Sequence, residues 1–143
     1  MKLEQILNER IADFGTLYIK LHRFHWFVEG TEFFPIHTKT EELYNEAALL
    51  LDEYAERLLT IDGKPIATLK EFIAISKISE DGNETNAKDI MNTLIKDYTF
   101  IVEELKSGIT VADEAGDSLT VALFEDTIGA FQKHLWMFKQ TVK

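Results

Sequence analysis

Residues 35–63, PIHTKTEELYNEAALLLDEYAERLLTIDG, decide the fold of this 143-residue chain. Apolar side chains recur three or four positions apart, or at sums of those steps, which indicates one buried helix face. They are Leu43, Ala47, Leu50, Tyr54, Leu58 and Ile61. Pro35 suits a first helical turn, where its missing N–H has no helical partner, and Gly63 with Pro65 beyond it ends a helix. The stretch therefore predicts one helix of roughly 26 residues and about 39 Å.

Three more segments have the same spacing and predict three further long helices. The first covers residues 3–29 and ends at Gly30, a residue that suits a helix C-terminus. The third covers residues 86–108, and the fourth follows Asp117 or Ser118, either of which would cap it. The apolar positions are Leu3, Leu7, Phe14, Leu17, Leu21, Phe24 and Val28, then Ile90, Leu94, Ile95, Tyr98, Ile101, Val102 and Leu105, then Leu119, Leu123, Ile128, Phe131, Leu135 and Phe138.

The second and third helices are separated by a long connection. Its residues 68–73 look like a short helix, and residues 79–85, SEDGNET, form a polar loop. The chain has no strand-like alternation and no internal repeat. Four long helices with one long crossover have the topology of a ferritin-like four-helix bundle. We therefore expect an all-α fold, in a single domain over residues 1–143, with a short extra helix in the crossover.

Composition and charge disfavour several classes of function. The chain has no cysteine, which excludes disulfides, thiolate zinc sites and cysteine nucleophiles. Its beginning does not read as a signal peptide, and nothing approaches the roughly 18 apolar residues of a membrane span, so we expect a cytoplasmic protein that engages no membrane. The formal net charge is −10, and the 15 Lys and Arg are scattered along the chain. Weak or absent direct DNA binding is therefore expected at physiological salt.

Five side chains of metal-ligating type lie on helix-like sequence. They are His25, His37, Glu41, Asp52 and Glu56. On an ideal helix the three carboxylates fall within about 60° of one another, and His37 widens the arc to about 100°. Histidine nitrogen and carboxylate oxygen together suit iron and its oxidation. The alternative is a solvated acidic face, which Glu42, Glu46 and Glu53 on the neighbouring arc favour.

The usual di-iron bundle places Glu-x-x-His on two of its helices, with all ligands pointing inward. The chain has four histidines, and none has Glu three residues before it. The residues three before His22, His25, His37 and His134 are Ile19, His22, Phe34 and Phe131. An iron site in this protein would therefore have to be built in another way.

Further motifs surround these five residues and extend along nearly the whole chain. They are His25-Trp26, Gly30, Phe33-Phe34, His37, Glu41-Glu42-Leu43-Tyr44, Asp52-Glu53-x-Ala55-Glu56-Arg57, Thr68-Leu69-Lys70-Glu71-Phe72 and Lys133-His134-Leu135-Trp136-Met137. Together they closely resemble the Dps family of mini-ferritins. In that family the segment corresponding to residues 68–72 forms the short crossover helix.

The resemblance implies a hollow homododecamer of four-helix subunits, with ferroxidase sites at the two-fold interface. His25, His37 and Glu41 would come from one subunit, and Asp52 and Glu56 from its two-fold partner. Proteins of the family oxidise Fe(II), and the sequence leaves open whether one or two irons would occupy each site of this chain. These proteins usually prefer hydrogen peroxide over dioxygen, and store ferric mineral in the cavity, which protects against oxidative stress. The five residues are thus the predicted metal ligands and catalytic residues.

Other side chains have weaker claims to a role. His22, about one turn before His25, could face the same metal, but a surface histidine is the favoured interpretation. Trp26 either packs beside the site or intercepts stray radicals. The resemblance implies that Glu42, Glu46 and Glu53 face the cavity and seed mineral, with a solvated outer face as the alternative. Packing and surface positions are expected for Trp136 and His134.

Iron must also enter the particle, and related proteins line a three-fold pore with acids near the start of the fourth helix. Asp113 and Asp117 are the candidates in this chain. Ala122 stands where the family commonly has another acid, which weakens the pore assignment but not the ferroxidase site. Glu125 or Asp126 would be a substitute for the missing acid.

Three functions remain open at this stage. The leading one is a peroxide-using ferroxidase and iron store. The second is a nucleoid-protecting DNA binder with incidental iron chemistry, and the third is a ferritin-like bundle that serves only as a structural or interaction module. The third function predicts that the ligand positions tolerate alanine, whereas the first predicts that Asp52→Ala or Glu56→Ala abolishes fast iron oxidation while assembly survives.

Overall fold

The computed structural model describes residues 2–143, which fold into five helices. They are α1 (Lys2–Phe27), α2 (Phe33–Thr60), α3 (Leu69–Ile75), α4 (Ala87–Glu114) and α5 (Ser118–Thr141). The described residues contain no strand, only an isolated bridge between Glu29 and Asn86. The prediction of an all-α chain with a short crossover helix is confirmed. The helices cluster into two compact units, Glu4–Ile90 and Met91–Lys143, the second of which also includes Leu3.

In the first unit, α1 and α2 bury the apolar stripes that the sequence predicts. The positions predicted for the first helix are all buried, including Leu3 of the second unit and Val28 just beyond the end of α1, and so are four of those on α2. Those four are Leu43, Ala47, Tyr54 and Leu58, whereas Leu50 and Ile61 are half-buried. The ring of Phe14 packs edge-on against Tyr54, with centroids 4.9 Å apart. The two stripes therefore meet, and large aromatic side chains fill the space between these helices.

The chain leaves α1 earlier than predicted. The helix ends at Phe27 rather than at residue 29, because the N–H of Glu29 donates to the carbonyl of Thr85 at 2.7 Å instead of continuing the helix. Gly30 then adopts a φ of +107°, a left-handed conformation that glycine reaches without steric cost. Pro35 lies in the first turn of α2, as predicted. This sharp reversal brings the last turn of α1 beside the first turns of α2.

Buried charges on α1 hold the crossover segment in place. Nε of Arg10 donates to Asp13 at 3.0 Å, and both side chains are buried. Asp13 also accepts the backbone N–H of Lys77 at 2.8 Å, and Nζ of Lys20 donates to the carbonyl of Ser79 at 2.6 Å. Burial raises the pKa of the Asp13 carboxyl, against the effect of the neighbouring guanidinium. The crossover is therefore attached to α1 by specific polar contacts.

The short helix α3 begins with reciprocal capping bonds, close to a capping box. The hydroxyl of Thr68 accepts the N–H of Glu71 at 3.1 Å, while the Glu71 carboxylate accepts the N–H of Ala67 at 3.2 Å. These hydrogen bonds to the ionised form lower the pKa of Glu71. The ring of Phe72 lies directly against Gly15 of α1, where an added Cβ would be 2.6 Å from Cδ2 of the ring. The predicted short helix is confirmed and extends two residues further than expected.

The second unit contains most of α4 and all of α5. α4 runs to Glu114 rather than to residue 108, and the helix stops where Gly116 adopts a φ of +71°. Asp117 caps α5 by accepting the N–H of Thr120 at 3.0 Å, as predicted. Leu119 was predicted to be a core position, and this prediction is wrong: the side chain is 67% exposed in the first turn of α5.

Aromatic rings pack the interior of this unit. The ring of Tyr98 lies 4.5 Å from that of Phe131 and 5.3 Å from that of Phe138. His134 is half-buried and stacks on Phe138, whereas Trp136 is 60% exposed, so the packing position expected for Trp136 and the surface position expected for His134 are exchanged. None of the helices within residues 2–143 combines the length and the apolar character that crossing a bilayer requires.

Candidate metal centre

Two of the predicted ligands, His25 and His37, meet where α1 ends and α2 begins. Their rings stack with centroids 3.6 Å apart and an interplanar angle of 16°. Nδ1 of His25 donates to the carbonyl of His37 at 2.6 Å, and Nδ1 of His37 donates to the carbonyl of His25 at 2.8 Å. The last carbonyls of a helix lack helical partners, so His37 satisfies one of them at the end of α1. We call this reciprocal pair the histidine clamp.

The histidine clamp fixes which ring nitrogens are free to bind a metal. A carbonyl oxygen only accepts hydrogen bonds, so both Nδ1 atoms carry a proton, and in the neutral imidazole the lone pair is then on Nε2. Nε2 of His25 lies 4.0 Å from Oε1 of Glu41. His25 is 7% exposed, whereas the Glu41 side chain is 57% exposed. The two histidines and Glu41 therefore form a histidine half-site. Hydrogen bonds hold its two imidazole rings in place, whereas its carboxylate is exposed to solvent.

The other two predicted ligands, Asp52 and Glu56, lie one turn apart on the exposed surface of α2. The two carboxyl groups share a hydrogen bond, and that bond together with the charge of Asp52 raises the pKa of Glu56. Like charges held this close disfavour full ionisation, and a bound cation removes that penalty. We call this pair the acidic half-site.

The two half-sites are far apart within one chain. Glu41 and Asp52 are eleven positions apart on α2, which corresponds to about 16 Å along the helix axis. Metal–ligand distances are only about 2–2.6 Å. Within residues 2–143, no group of three or more His, Asp and Glu side chains is arranged to hold a metal ion. The shared stripe predicted from the sequence is thus two separate half-sites along one helix.

Aromatic rings surround the histidine half-site. Tyr44 packs edge-on against His25 with centroids 5.3 Å apart, and His22 stacks on Tyr44 at 3.7 Å. Nδ1 of His22 donates to the carbonyl of Tyr18 at 2.7 Å. Trp26 lies 5.3 Å from His22 and is 63% exposed. His22 is therefore half-buried in an aromatic stack rather than a plain surface residue, and Trp26 borders this stack on the outside.

The remaining acidic candidates have varied surroundings. Glu42 pairs with Nζ of Lys39 at 3.3 Å on the surface, while Glu46 is half-buried. Both carboxylate oxygens of Asp117 accept hydrogen bonds from Thr120, so this candidate pore residue also serves as a helix cap. Exposed positions are occupied by Glu53, Asp113, Ala122, Glu125 and Asp126. Roles for these acids in a cavity or a pore stay predictions.

One residue beside the site was not singled out from the sequence. Thr40 is fully buried, and its Oγ1 lies 3.3 Å from Nδ1 of His25. A signal was present, because Thr40 is the polar member of the buried series Ile36, Thr40, Leu43 and Ala47 on α2. A hydroxyl in an apolar stripe generally has a specific hydrogen-bond partner.

Comparison with known proteins gives a consistent result along the whole chain. Residues 4–143 match the family model of the ferritin-like domain. The DNA protection during starvation protein 2 of Bacillus anthracis is 42% identical over 135 residues, which cover 94% of this chain and 92% of that protein. The crystal structure of Dps from Staphylococcus aureus superposes with a TM-score of 0.96 at 38% identity, covering 99% of this chain and 95% of the other. A Dps protein from Vibrio cholerae O1, described as a member of a broad superfamily of ferritin-like diiron-carboxylate proteins, has a TM-score of 0.95 at 30% identity, with 99% and 89% coverage.

Proposed function

The chain belongs to the Dps family of ferritin-like proteins, and from this premise we propose that it is a ferroxidase and iron store. It oxidises Fe(II) with hydrogen peroxide, or with dioxygen, and keeps the ferric product as mineral inside a hollow homododecamer. The observation that carries the proposal is the division of five ligand-type side chains into a histidine half-site and an acidic half-site, each incomplete alone. The description of the Vibrio cholerae relative as a diiron-carboxylate protein supports iron as the metal.

Two copies of the chain would complete both half-sites at once. In a two-fold dimer each surface patch meets the same patch of the partner in the opposite direction. If α2 lies antiparallel to its partner, the histidine half-site of one chain faces the acidic half-site of the other, and each dimer gains two complete sites. Leu49, between the half-sites on α2, is 70% exposed, and Phe34 beside the histidine clamp is 77% exposed. Large exposed apolar side chains of this kind favour a covered interface.

The residue types suit the reaction. The Nε2 atoms of His25 and His37 bind Fe(II) as neutral donors, while Glu41, Asp52 and Glu56 supply hard, charged oxygens that favour Fe(III). One hydrogen peroxide molecule accepts one electron from each of two Fe(II) ions and, with two protons, becomes water. The reaction consumes both reagents that would otherwise generate hydroxyl radical, so it protects against oxidative stress. The protein contributes a fixed set of donors rather than a nucleophile.

Finer expectations stay predictions under this proposal. They are a single domain over residues 1–143, a cytoplasmic location, and the choice between one and two irons per site. The match of the family model to residues 4–143 supports the single domain.

The first experiment removes the acidic half-site. Asp52→Ala and Glu56→Ala should each abolish fast Fe(II) oxidation, since each leaves the iron without an essential oxygen donor. The control is Glu53→Ala. It removes an exposed acid that follows Asp52 in the sequence but lies on the neighbouring arc of the helix. Fe(II) is added anaerobically, then hydrogen peroxide. The rise of ferric absorbance with time gives the oxidation rate, and size exclusion then reads retained ferric iron together with particle mass. Wild-type protein should elute as a large particle that retains ferric iron.

A complementation experiment tests whether the site is shared. His25→Ala and Glu56→Ala subunits are co-expressed with different tags, and mixed particles are isolated through both tags. A mixed two-fold pair contains one doubly damaged site and one intact site. If subunits pair at random, about a quarter of all sites are intact and oxidation returns. A site contained within one chain would give no recovery, and that result would reject the shared site.

The same measurements decide between the competing functions. If the alanine variants oxidise iron at the wild-type rate, the five residues are not the site and a structural or interaction module becomes the better account. A particle that forms but retains no iron would favour a DNA-protecting shell, the role that the name of the Bacillus anthracis relative states for that protein.

A further inference from the structure

A buried threonine hydroxyl lies against the histidine clamp. Oγ1 of Thr40 lies 3.3 Å from Nδ1 of His25. The same hydroxyl donates to the carbonyl of Ile36 at 2.7 Å and lies 3.1 Å from the carbonyl of His37. A threonine hydroxyl has one hydrogen and two acceptor lone pairs. Because its hydrogen is directed at a carbonyl of α2, Thr40 offers only lone pairs to His25.

The Nδ1–H group of His25 therefore has two acceptors, the carbonyl of His37 at 2.6 Å and the hydroxyl of Thr40 at 3.3 Å. The carbonyl of His37 does not tolerate a bare ring nitrogen in that place, because a carbonyl oxygen presents only lone pairs; the Thr40 hydroxyl, engaged with the carbonyl of Ile36, adds a second acceptor on the same side. Turning the ring by half a rotation would put Cδ2 against these oxygens and move Nε2 away from Glu41. Two acceptors on one side of the ring therefore favour one orientation and one tautomer.

We propose that Thr40 is a positioning residue for iron binding. It acts with the His37 carbonyl to hold the His25 ring so that Nε2 faces the incoming Fe(II). The inference rests on the proposed ferroxidase function and adds to it a residue that contacts a ligand rather than the metal. Partners of this kind commonly change metal affinity by about 10–100-fold. The 3.3 Å contact is the longer of the two, so we expect an effect near the lower end of that range.

The alternative explanation is purely structural. Threonine hydroxyls inside helices often bond to the carbonyl four residues earlier, and Thr40 does so at Ile36. Thr127 of α5 offers a control of the same residue type, because it is also buried and donates to the carbonyl of Leu123 at 3.0 Å. If Thr40 had only this structural role, removing its hydroxyl would affect metal binding no more than removing the hydroxyl of Thr127.

The test measures Co(II) binding to the assembled protein under anaerobic conditions, since Co(II) reports ligand geometry through its visible absorption. Thr40→Val keeps the shape and removes the hydroxyl, and Thr40→Ser keeps the hydroxyl. We expect a dissociation constant about tenfold higher for Thr40→Val, and wild-type values for Thr40→Ser and Thr127→Val. In peroxide-driven oxidation, Thr40→Val should raise the KM for Fe(II) and leave the rate at saturation unchanged.

Each outcome has a defined meaning. If His25→Ala abolishes Co(II) binding while Thr40→Val binds like the wild type, the positioning role is wrong and the proposed site stands. If His25→Ala leaves Co(II) binding intact, the proposed site fails and the role of Thr40 fails with it. Should Thr40→Val not assemble, Thr40→Ala removes the same hydroxyl without adding bulk and should show the same loss of affinity. Equal effects of Thr40→Val and Thr127→Val would also overturn the inference.

Discussion

His37 has two separable roles at the level of the single residue. Its Nδ1 donates to the carbonyl of His25 at the end of α1, and its Nε2 is free for a metal. In His37→Asn the amide nitrogen takes the place of Nδ1, so the helix end stays satisfied while the metal donor is lost. His37→Ala loses both and should cost about 1–2 kcal/mol of stability for the unsatisfied carbonyl. Chemical unfolding in the presence of a chelator measures the stability, and Co(II) titration measures the binding.

The expected pattern is that both variants lose metal affinity and only His37→Ala loses stability. Equal destabilisation by Asn and Ala would show that the histidine clamp does not stabilise the junction of α1 and α2.

Sequence reasoning at this scale identified residue types better than distances. The helical-wheel angles of Glu41 and Asp52 are nearly the same, but an angle carries no information about the rise along the axis. The stripe alone therefore did not separate the two half-sites, and only the family resemblance predicted their division. The reciprocal hydrogen bonds of the histidine clamp could not be predicted from the sequence either, because their acceptors are backbone carbonyls. Those carbonyls are placed by the reversal at Gly30, which no side-chain pattern reports. Thr40 was passed over because threonine fits both helix surfaces and buried positions.

At the level of elements, the close packing of α3 against α1 depends on Gly15. A Cβ at this position would lie 2.6 Å from Cδ2 and 3.0 Å from Cε2 of Phe72. Gly15→Ala gains helix propensity of up to about 1 kcal/mol, but forcing the ring outward costs about 1–3 kcal/mol. We expect a net loss of stability and faster amide exchange in α3, which has no buried residues of its own to hold it.

Gly129 provides the control, since an added Cβ there has no neighbour within 4 Å. Gly129→Ala should stabilise the protein by up to about 1 kcal/mol through helix propensity alone. In a Phe72→Ala background the clash is absent, so adding Gly15→Ala there should raise stability relative to Phe72→Ala alone. If Gly15→Ala stabilised the protein as much as Gly129→Ala, the contact between Gly15 and Phe72 would carry no packing constraint.

The helices themselves were predictable because their apolar spacing is long and regular, whereas their ends were less so. α1 ends early because the backbone N–H of Glu29 donates to the carbonyl of Thr85, a partner from a distant part of the sequence. α4 ran on to Glu114, since the glycine at position 108 lowers helix propensity without forcing a stop. Leu119 shows a similar limit, as helical spacing gives the direction of a side chain but not whether anything covers it.

At the level of the whole molecule, charge separates iron storage from DNA binding. The chain carries 25 acidic and 15 basic residues, a formal net charge of −10, and an assembly of identical chains multiplies that charge. DNA affinity arises mainly from phosphates neutralised by Lys and Arg, with release of counterions. An acidic particle repels the backbone instead, so we expect weak or no direct binding at physiological salt. The competing DNA-binding function requires tight direct binding under the same conditions.

A gel shift with linear duplex DNA tests this expectation in physiological salt with a chelator present. The protein should leave the DNA unshifted, and a variant with a lysine-rich extension fused to the N-terminus should shift it, which shows that the assay detects binding. Addition of Mg²⁺ should produce a shift that the chelator reverses, because divalent cations bridge carboxylates and phosphates. Tight binding without divalent cations would contradict the argument from charge. It would mean that basic side chains gather on one surface of the assembly, and DNA protection would then rank beside iron oxidation as a primary function.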